Sequence, residues 1–337
     1  MTTKSRKKVN EQTIVITGAS SGIGLAAATL AAGKGARVVL ASRNEKDLRE
    51  ICEKLEKDGG TAAFVKADVS KEDDIRKIAA QAIETFGGFD TWVNNAGVGL
   101  FGNLMDIPIE DERRLFDVNF WGVVHGSRIA LSHLREKGGT IINIGSILSD
   151  RAFPLQGTYS ASKHAVKAFS DALRMEIEKE NIPVTITTLK PGSVNTPFME
   201  HARNRMNEKV ILPPPYYDPD VVARAIVQCS QTSHRDLAVA NVAGSVVIQM
   251  EHLFPGTLDN IMKRTVFDLQ KRKNEPKNKE DGLYKAPSKE GRIRGRYAGP
   301  VLKHNLNTSI RLDPKKLWAV TAVGLSAVAG VIGFLRK

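Results

Sequence analysis

"TGASSGIG", residues 17–24, decides the fold. It follows "TIVI" (13–16), a β-branched run of the kind that forms a buried strand, and precedes "LAAATLAAGKGA" (25–36), which reads as a helix. The glycines therefore occupy a strand-to-helix turn. A helix that starts there aims unpaired N–H groups and its positive dipole end at the turn, which suits a phosphate. Gly18, Gly22 and Gly24 allow a tight turn, a close approach to an anion and packing of helix on strand. An ordinary Gly-rich connection would read alike, and the spacing departs from G-x-G-x-x-G, with three residues between the first two glycines.

Strand and helix patterns alternate downstream. "ARVVLAS" (36–42), "TAAFVKAD" (61–68), "DTWVNNAG" (90–97), "GTIINIGS" (139–146) and "IPVTITTLKPG" (182–192) read as strands. Helices are expected over 45–60, 71–86, 110–136 and 158–180, then at about 219–231, with a last short strand "DLAVA" (236–240). Apolar strands between helices predict an α/β fold, a doubly wound parallel sheet of Rossmann-like type with helices on both faces, plus a C-terminal extension. Ligands bind such sheets outside the carboxyl ends of the strands.

Four signals converge on those ends. "NNAG" (94–97) closes the fourth strand, "VNFWG" (118–122) holds Asn119 inside a long helix where Asn is a poor former, and Ser146 ends the fifth strand. "YSASK" (159–163) puts Tyr159 and Lys163 on one helix face, one turn apart. A free tyrosine, with a pKa of about 10, exchanges protons poorly near neutrality. A lysine ammonium nearby favours the phenolate and is expected to lower that pKa. A serine hydroxyl alongside can hold a substrate oxygen, completing an acid/base for a carbonyl/alcohol couple, with hydride from a cofactor. Y-x-x-x-K alone is a weak signal, but its combination with the Gly turn, NNAG, Asn119 and Ser146 is not a chance pattern.

With these motifs the chain resembles the short-chain dehydrogenase/reductase family, in its shorter, single-domain branch, over roughly residues 11–245. The resemblance implies that Tyr159 is the catalytic acid/base, that Lys163 tunes it and holds the nicotinamide ribose, that Ser146 orients the substrate oxygen, and that Asn119 anchors a water. It implies a dinucleotide held by Gly18, Ser20, Ser21, Gly22, Ile23 and Gly24 at the turn, with Asp68 and Val69 at the adenine and Asn95, Ala96 and Gly97 beside the adenosine ribose. "PGSVNT" (191–196) resembles the segment that grips the nicotinamide, through Pro191, Gly192, Val194 and Thr196. The family often pairs the helices containing "FDVNFWGVVHGSRIALSHL" (116–134) and Tyr159 across a two-fold axis, so a homodimer or homotetramer is expected. Both helices are apolar on more than one face.

Charge selects the dinucleotide. An NAD site needs a carboxylate at the end of the second strand. Ser42 and Arg43 stand there instead, and an arginine attracts a 2′-phosphate, favouring NADP(H). A merely solvated Arg43 is the alternative. Leu148, Phe153, Leu155, Phe198 and Met199 give the substrate loops an apolar character, although core or oligomer packing would explain them equally.

The 337 residues carry a net charge of +12, concentrated in a basic N-terminal tail (1–10) and in a Lys/Arg-rich arm or linker (273–316) that follows a helical extension (246–272). Nucleic acid is not expected as a partner, since the arm lacks aromatics at a stacking spacing. Two cysteines outside any CxxC pair fit a reducing compartment, and seven histidines without ligand spacing predict no metal. "LWAVTAVGLSAVAGVIGFL" (317–335) is uncharged, flanked by basic residues and, as a helix, roughly 28 Å long. It predicts a transmembrane helix holding a cytoplasmic catalytic domain at a membrane, near lipophilic substrates. A buried or oligomer-forming helix is the alternative. The leading expectation is a membrane-tethered NADP(H) oxidoreductase acting on a small carbonyl or alcohol. A tethered nucleotide-binding scaffold is the competing one, disfavoured by the intact Asn-Ser-Tyr-Lys set.

Overall fold

A computed structural model of the chain describes residues 6–239, 251, 253–276, 280–288, 291–297, 299–305, 308 and 312. The expected membrane helix, 317–335, lies outside the described residues, among which no helix is long and apolar enough to cross a membrane.

The main sheet is built from β1 (Thr13–Thr17), β2 (Arg37–Ser42), β3 (Thr61–Lys66), β4 (Thr91–Asn94), β5 (Gly139–Ile144), β6 (Val184–Pro191) and β7 (Asp236–Val239). Every neighbouring pair is parallel, in the order β7-β6-β5-β4-β1-β2-β3. The order reverses at β1, between β4 and β2, so the Gly turn leaves the sheet at a topological switch point. Helices cover both faces, and the central strands are accordingly apolar on both. Val15, Ile16, Val38, Val39 and Leu40 are fully buried. Each such side chain stabilises the fold by about 1.5–3 kcal/mol.

On one face, α1 (Gly22–Ala32) brings an alanine-rich surface against α7 (Pro219–Cys229) and shares a core with Val222 and Ile226. Small side chains let that helix lie close to the sheet. The sequence signals for helix ends operate locally. Asn44 caps α2 (Glu45–Lys57) by accepting from Asp47 N–H at 3.3 Å, and Asp218 caps α7 by accepting from Asp220 N–H at 3.0 Å. Gly87 ends α3 (Glu72–Phe86) in the left-handed region at φ 75°.

Three expectations are corrected. The helix expected over 110–136 is α4 (Ile109–Phe116) and α5 (Gly122–Leu134), joined by a π-helical turn, Asp117–Trp121, that contains Asn119. The helical extension is narrower than expected: α8 (Pro255–Leu269) is a helix, but Lys271–Pro276 is a strand antiparallel to Glu208–Val210. The basic arm, in its described parts, packs rather than trails. Leu283 is fully buried against the core containing Leu115 and Val118, and Val301–Leu302 pairs in parallel with Tyr216–Tyr217. Its arginines meet carboxylates of the domain, which is why a charge-rich stretch can lie down there. The N-terminal tail behaves likewise: Arg6 donates to Thr185 and Lys7 to Asp90.

Candidate active site

The Gly turn and the NNAG loop are stitched together at the carboxyl ends of β1 and β4. Thr17 Oγ1 accepts from Asn95 N–H at 3.0 Å and Ala96 N–H at 3.1 Å, while Asn95 Nδ2 donates to the carbonyls of Thr17 and Gly18. Gly18 sits at φ +65°, and a Cβ there would stand 2.7 Å from Ala96 Cα. A Cβ on Gly24 would stand 2.2 Å from the Gly18 carbonyl oxygen. Only glycine fits either position. Ser21, the N-cap of α1, spends no side-chain bond on the helix. Gly22, the first residue of α1, sits at φ +56°, and a Cβ there would stand 3.2 Å from Thr196 Cβ, so glycine brings the start of the helix close to the Thr196 segment.

A cleft of about 380 Å³ opens from this turn. The expected turn residues Gly18, Ser20, Ser21, Gly22 and Ile23 line it, as do Ser42, Arg43, Asp68 and Val69 at one end and Asn95, Ala96 and Gly97 beside the turn. Ser146, Tyr159, Lys163, Pro191, Gly192, Val194 and Thr196 complete the wall. Gly24 and Asn119 do not line it; they act from behind. Asn119 is fully buried, accepts from Val98 N–H at 2.8 Å and donates to the Val98 carbonyl at 3.0 Å, fixing the strand that leaves NNAG. A π turn in mid-helix turns this amide sideways, a device common at functional sites.

Ser146 caps the short 3-10 turn Ile147–Ser149, its Oγ accepting from Leu148 N–H at 3.1 Å, and it stands with Tyr159 on the wall of the cleft. Lys163, one turn along α6 (Gly157–Lys179), donates from Nζ to the Ile144 carbonyl at 2.8 Å. Burial pushes the Tyr159 phenol up to about 12, with the nearby Ser146 hydroxyl pulling the other way, and pushes the Lys163 ammonium down to about 8. The expected lowering of the tyrosine by the lysine is therefore not what this structure has. Lys163 Nζ is 5.7 Å from the ring centroid and bonded elsewhere, so desolvation governs both groups. The arrangement can present one protonated phenol to an oxygen held by Ser146, at the edge of a groove long enough for an extended anionic ligand.

At the far end of the groove, burial would raise the Asp68 carboxyl, but bonds from Arg114 and Ser70 outweigh it and hold the group below its usual range. Arg43 reaches in at the same end, from just past β2. Of the apolar loop residues, Leu148, Phe153 and Phe198 line the cleft, whereas Leu155 and Met199 pack in a separate core with Phe101 and Met206. Arg151, Gln156, His201, Gly282, Ala286 and Pro287 also line it and carried no motif. Only the Gly/Pro spacing in "GLYKAP" (282–287), around an apolar Leu283, marked that stretch.

The chain belongs to the short-chain dehydrogenase family, whose model, described as "short chain dehydrogenase", matches residues 12–207. It is an oxidoreductase of that family. It is 44% identical over 288 residues to the oxidoreductase YxnA of Bacillus subtilis (strain 168), covering 83% of this chain and 80% of that one. It is 38% identical over 200 residues to 11-beta-hydroxysteroid dehydrogenase A of Sesamum indicum, covering 59% of this chain and 57% of that one. Among solved structures it resembles a short-chain dehydrogenase/reductase from Burkholderia phymatum in complex with NAD, with a TM-score of 0.66 and 27% identity over 72% of this chain and 93% of that one. It also resembles the alcohol dehydrogenase of Thermococcus sibiricus complexed with 5-hydroxy-NADP, with a TM-score of 0.60 and 29% identity over 68% and 95% of the two chains.

Proposed function

We propose that this protein interconverts a carbonyl and an alcohol with NADP(H). Ser146, Tyr159 and Lys163 on the wall of one cleft, with the Gly turn lining it too, carry that reading. The backbone cradle of Gly18–Ile23 and the hydroxyl-rich turn fit the dinucleotide pyrophosphate, and Asp68, Val69 and Asn95–Gly97 fit its adenosine end. The nicotinamide end would lie by Lys163, Pro191, Gly192, Val194 and Thr196. When bound, the dinucleotide gives or takes the hydride. The chain supplies the rest. Ser146 holds the substrate oxygen, and Tyr159, kept neutral by burial, donates the proton that turns a carbonyl oxygen into a hydroxyl, or accepts it in reverse. Lys163, buried and held by the Ile144 carbonyl, stands on the cleft wall where it would meet the nicotinamide ribose, and Asn119 holds the Val98 segment behind it.

Arg43 supports NADP(H) over NAD(H). One solved neighbour carries NAD and the other an NADP derivative, so the choice rests on the guanidinium and on the absence of a carboxylate at the end of β2. Titrating both reduced cofactors by fluorescence tests it. Arg43→Ala should lower the NADPH/NADH affinity ratio by at least ~10-fold, the scale of a lost charge-assisted bond. An unchanged ratio would remove Arg43 from phosphate recognition.

The substrate end is apolar, with Leu148, Phe153, Phe198, Leu212 and Tyr217 on its walls. Arg151, which lines it, is already matched by Glu251 and Asp259, so a neutral, lipophilic substrate fits better than an acid. The hydroxysteroid named for the sesame relative belongs to that class. Exposed Leu253, Phe254, Ile261 and Leu269, on and beside α8, support work at a membrane, as does the apolar segment 317–335. A screen of neutral ketones and alcohols against acidic ones, followed by NADPH absorbance, tests the class.

A further inference from the structure

The packed parts of the arm do not merely cover the domain; one stretch lines the cleft and the next bonds residues of the Gly turn that line it. In the first stretch, 281–288, Gly282 N–H donates to the His201 carbonyl at 2.7 Å, and Gly282 itself lines the cleft with Ala286 and Pro287. Arg43 donates to the Gly282 carbonyl at 2.6 Å and to the Leu283 carbonyl at 3.4 Å. Arg114, which holds Asp68, donates to the same Leu283 carbonyl at 3.2 Å. Two side chains at the adenosine end are therefore set by one short run of main chain.

In the second stretch, 291–297, the contact is with the Gly turn itself. Gly291 N–H donates to the Ser20 carbonyl at 3.0 Å, and Gly22 N–H donates to the Arg292 carbonyl at 2.9 Å. Gly295 N–H donates to the Asn195 carbonyl at 3.1 Å, and a Cβ at Gly295 would stand 2.5 Å from the Thr196 carbonyl oxygen. Side chains then fasten the stretch from outside the cleft. Arg292 pairs with Glu200 at 2.8 Å, and Arg294 with Asp218 at 2.9 Å and Asp220 at 2.8 Å. Tyr297 stacks on Tyr216 with ring centroids 3.7 Å apart.

We propose that residues 281–288 and 291–297 form a strap that belongs to the dinucleotide site: it orients Arg43, closes over the Gly turn, and retains the bound cofactor until its charge pairs release. This rests on the reading of the cleft as an NADP(H) site. The strap roofs the cleft rather than filling it, since about 380 Å³ remains open beneath it, with Gly282, Ala286 and Pro287 as wall. Its fastenings are half-exposed ion pairs, individually weak, so they can open without unfolding the domain. The residues involved are positioning residues, not catalytic ones.

The test uses the full-length chain and reads cofactor release, not turnover. Wild type and an Arg292→Ala/Arg294→Ala variant are loaded with NADPH, and its fluorescence is followed by stopped flow after a chase with excess NADP⁺. Neither arginine side chain lines the cleft, and thermal melting checks that the variant folds. Release should be at least tenfold faster in the variant, and NADPH should protect the strap of the wild type, but not of the variant, from limited proteolysis. Release within twofold of wild type, or tighter binding as expected of an autoinhibitory plug, overturns the strap. A wild-type chain that binds neither NADPH nor NADH overturns the dinucleotide reading together with the strap, whereas normal binding with unchanged release overturns the strap alone.

Discussion

Asn119 and Val98 exchange two hydrogen bonds, the amide oxygen taking the Val98 N–H at 2.8 Å and the amide nitrogen giving to the Val98 carbonyl at 3.0 Å. One side chain thus imitates a neighbouring strand for a residue just past the NNAG loop. Asn119→Ala would strand a buried N–H and a buried C=O together. The expected cost is about 2–4 kcal/mol of stability, from two unsatisfied groups at about 1–3 kcal/mol each with partial relaxation. Urea unfolding followed by circular dichroism measures it, and a loss under 1 kcal/mol would show that water replaces the amide.

Tyr159→Phe removes the phenol and keeps the ring against Phe198, 5.8 Å away between centroids. Turnover of any productive carbonyl should fall at least ~10²-fold, the usual scale for a positioned acid/base. NADPH affinity should stay within a few fold. Near-normal turnover would assign the proton to another group.

Lys163 gives a pH dependence with a definite sign. Its folded pKa, about 8, lies below the ordinary lysine value of 10.5, because burial disfavours the ammonium. In the cofactor-free protein the charged form costs stability fully below pH 8. Between pH 8 and 10.5 the unfolded chain stays protonated while the folded chain loses its proton, so stability rises with pH, by at most about 3 kcal/mol. Lys163→Met removes this slope. The stability difference between wild type and variant, from urea titrations at pH 7 and pH 10, should move in favour of wild type at the higher pH. A difference that does not change with pH would mean that Lys163 keeps its ordinary pKa.

Assembly is expected through α5 and α6. Trp121, on the π turn before α5, is 47% exposed and Met175 on α6 is 61% exposed, unusual for such large apolar side chains on a solvated surface. Light scattering at micromolar concentration should give a dimer or tetramer, and Trp121→Asp should shift it toward monomer. A monomeric wild type would contradict this.

The segment 317–335 should behave as an anchor. Full-length protein should stay in membranes through a high-salt wash and a carbonate wash, and truncation after Lys316 should free a folded protein that binds NADPH. Ala327→Arg, at about 2.5–3.5 kcal/mol for a mid-membrane charge, should weaken retention. Release by salt alone would mean that the segment does not span.

The domain was legible where residue type and position coincide with a steric or electronic demand. Gly18 and Gly24 are readable because no Cβ fits, and Tyr159 with Lys163 because helical spacing sets their distance. Asn119 stands out as a poor helix former, but the pattern around it reads as one continuous helix, and nothing in the residue type foretells a π turn there. Leu155 and Met199 could not be sorted from Leu148 and Phe198, since an apolar residue reads alike in a core and on a cavity wall. The strap was the largest omission. It docks largely through main-chain N–H and C=O groups, which give no sequence signal, and its Gly, Pro and Arg content is also that of a solvated linker. A single buried Leu283 makes no periodicity.

The strap also carries a consequence for biosynthesis. Arg43 and the Gly282 carbonyl are 239 positions apart, so the ribosome makes the first long before the second. Domains fold from the N-terminus as they emerge, and contacts of such separation close late. A nascent chain that has released β7 already has the sheet and the Gly turn, but an open groove. Cofactor can enter that half-made protein before the roof arrives, so a strap that retains cofactor as proposed would leave the newly synthesised enzyme born loaded.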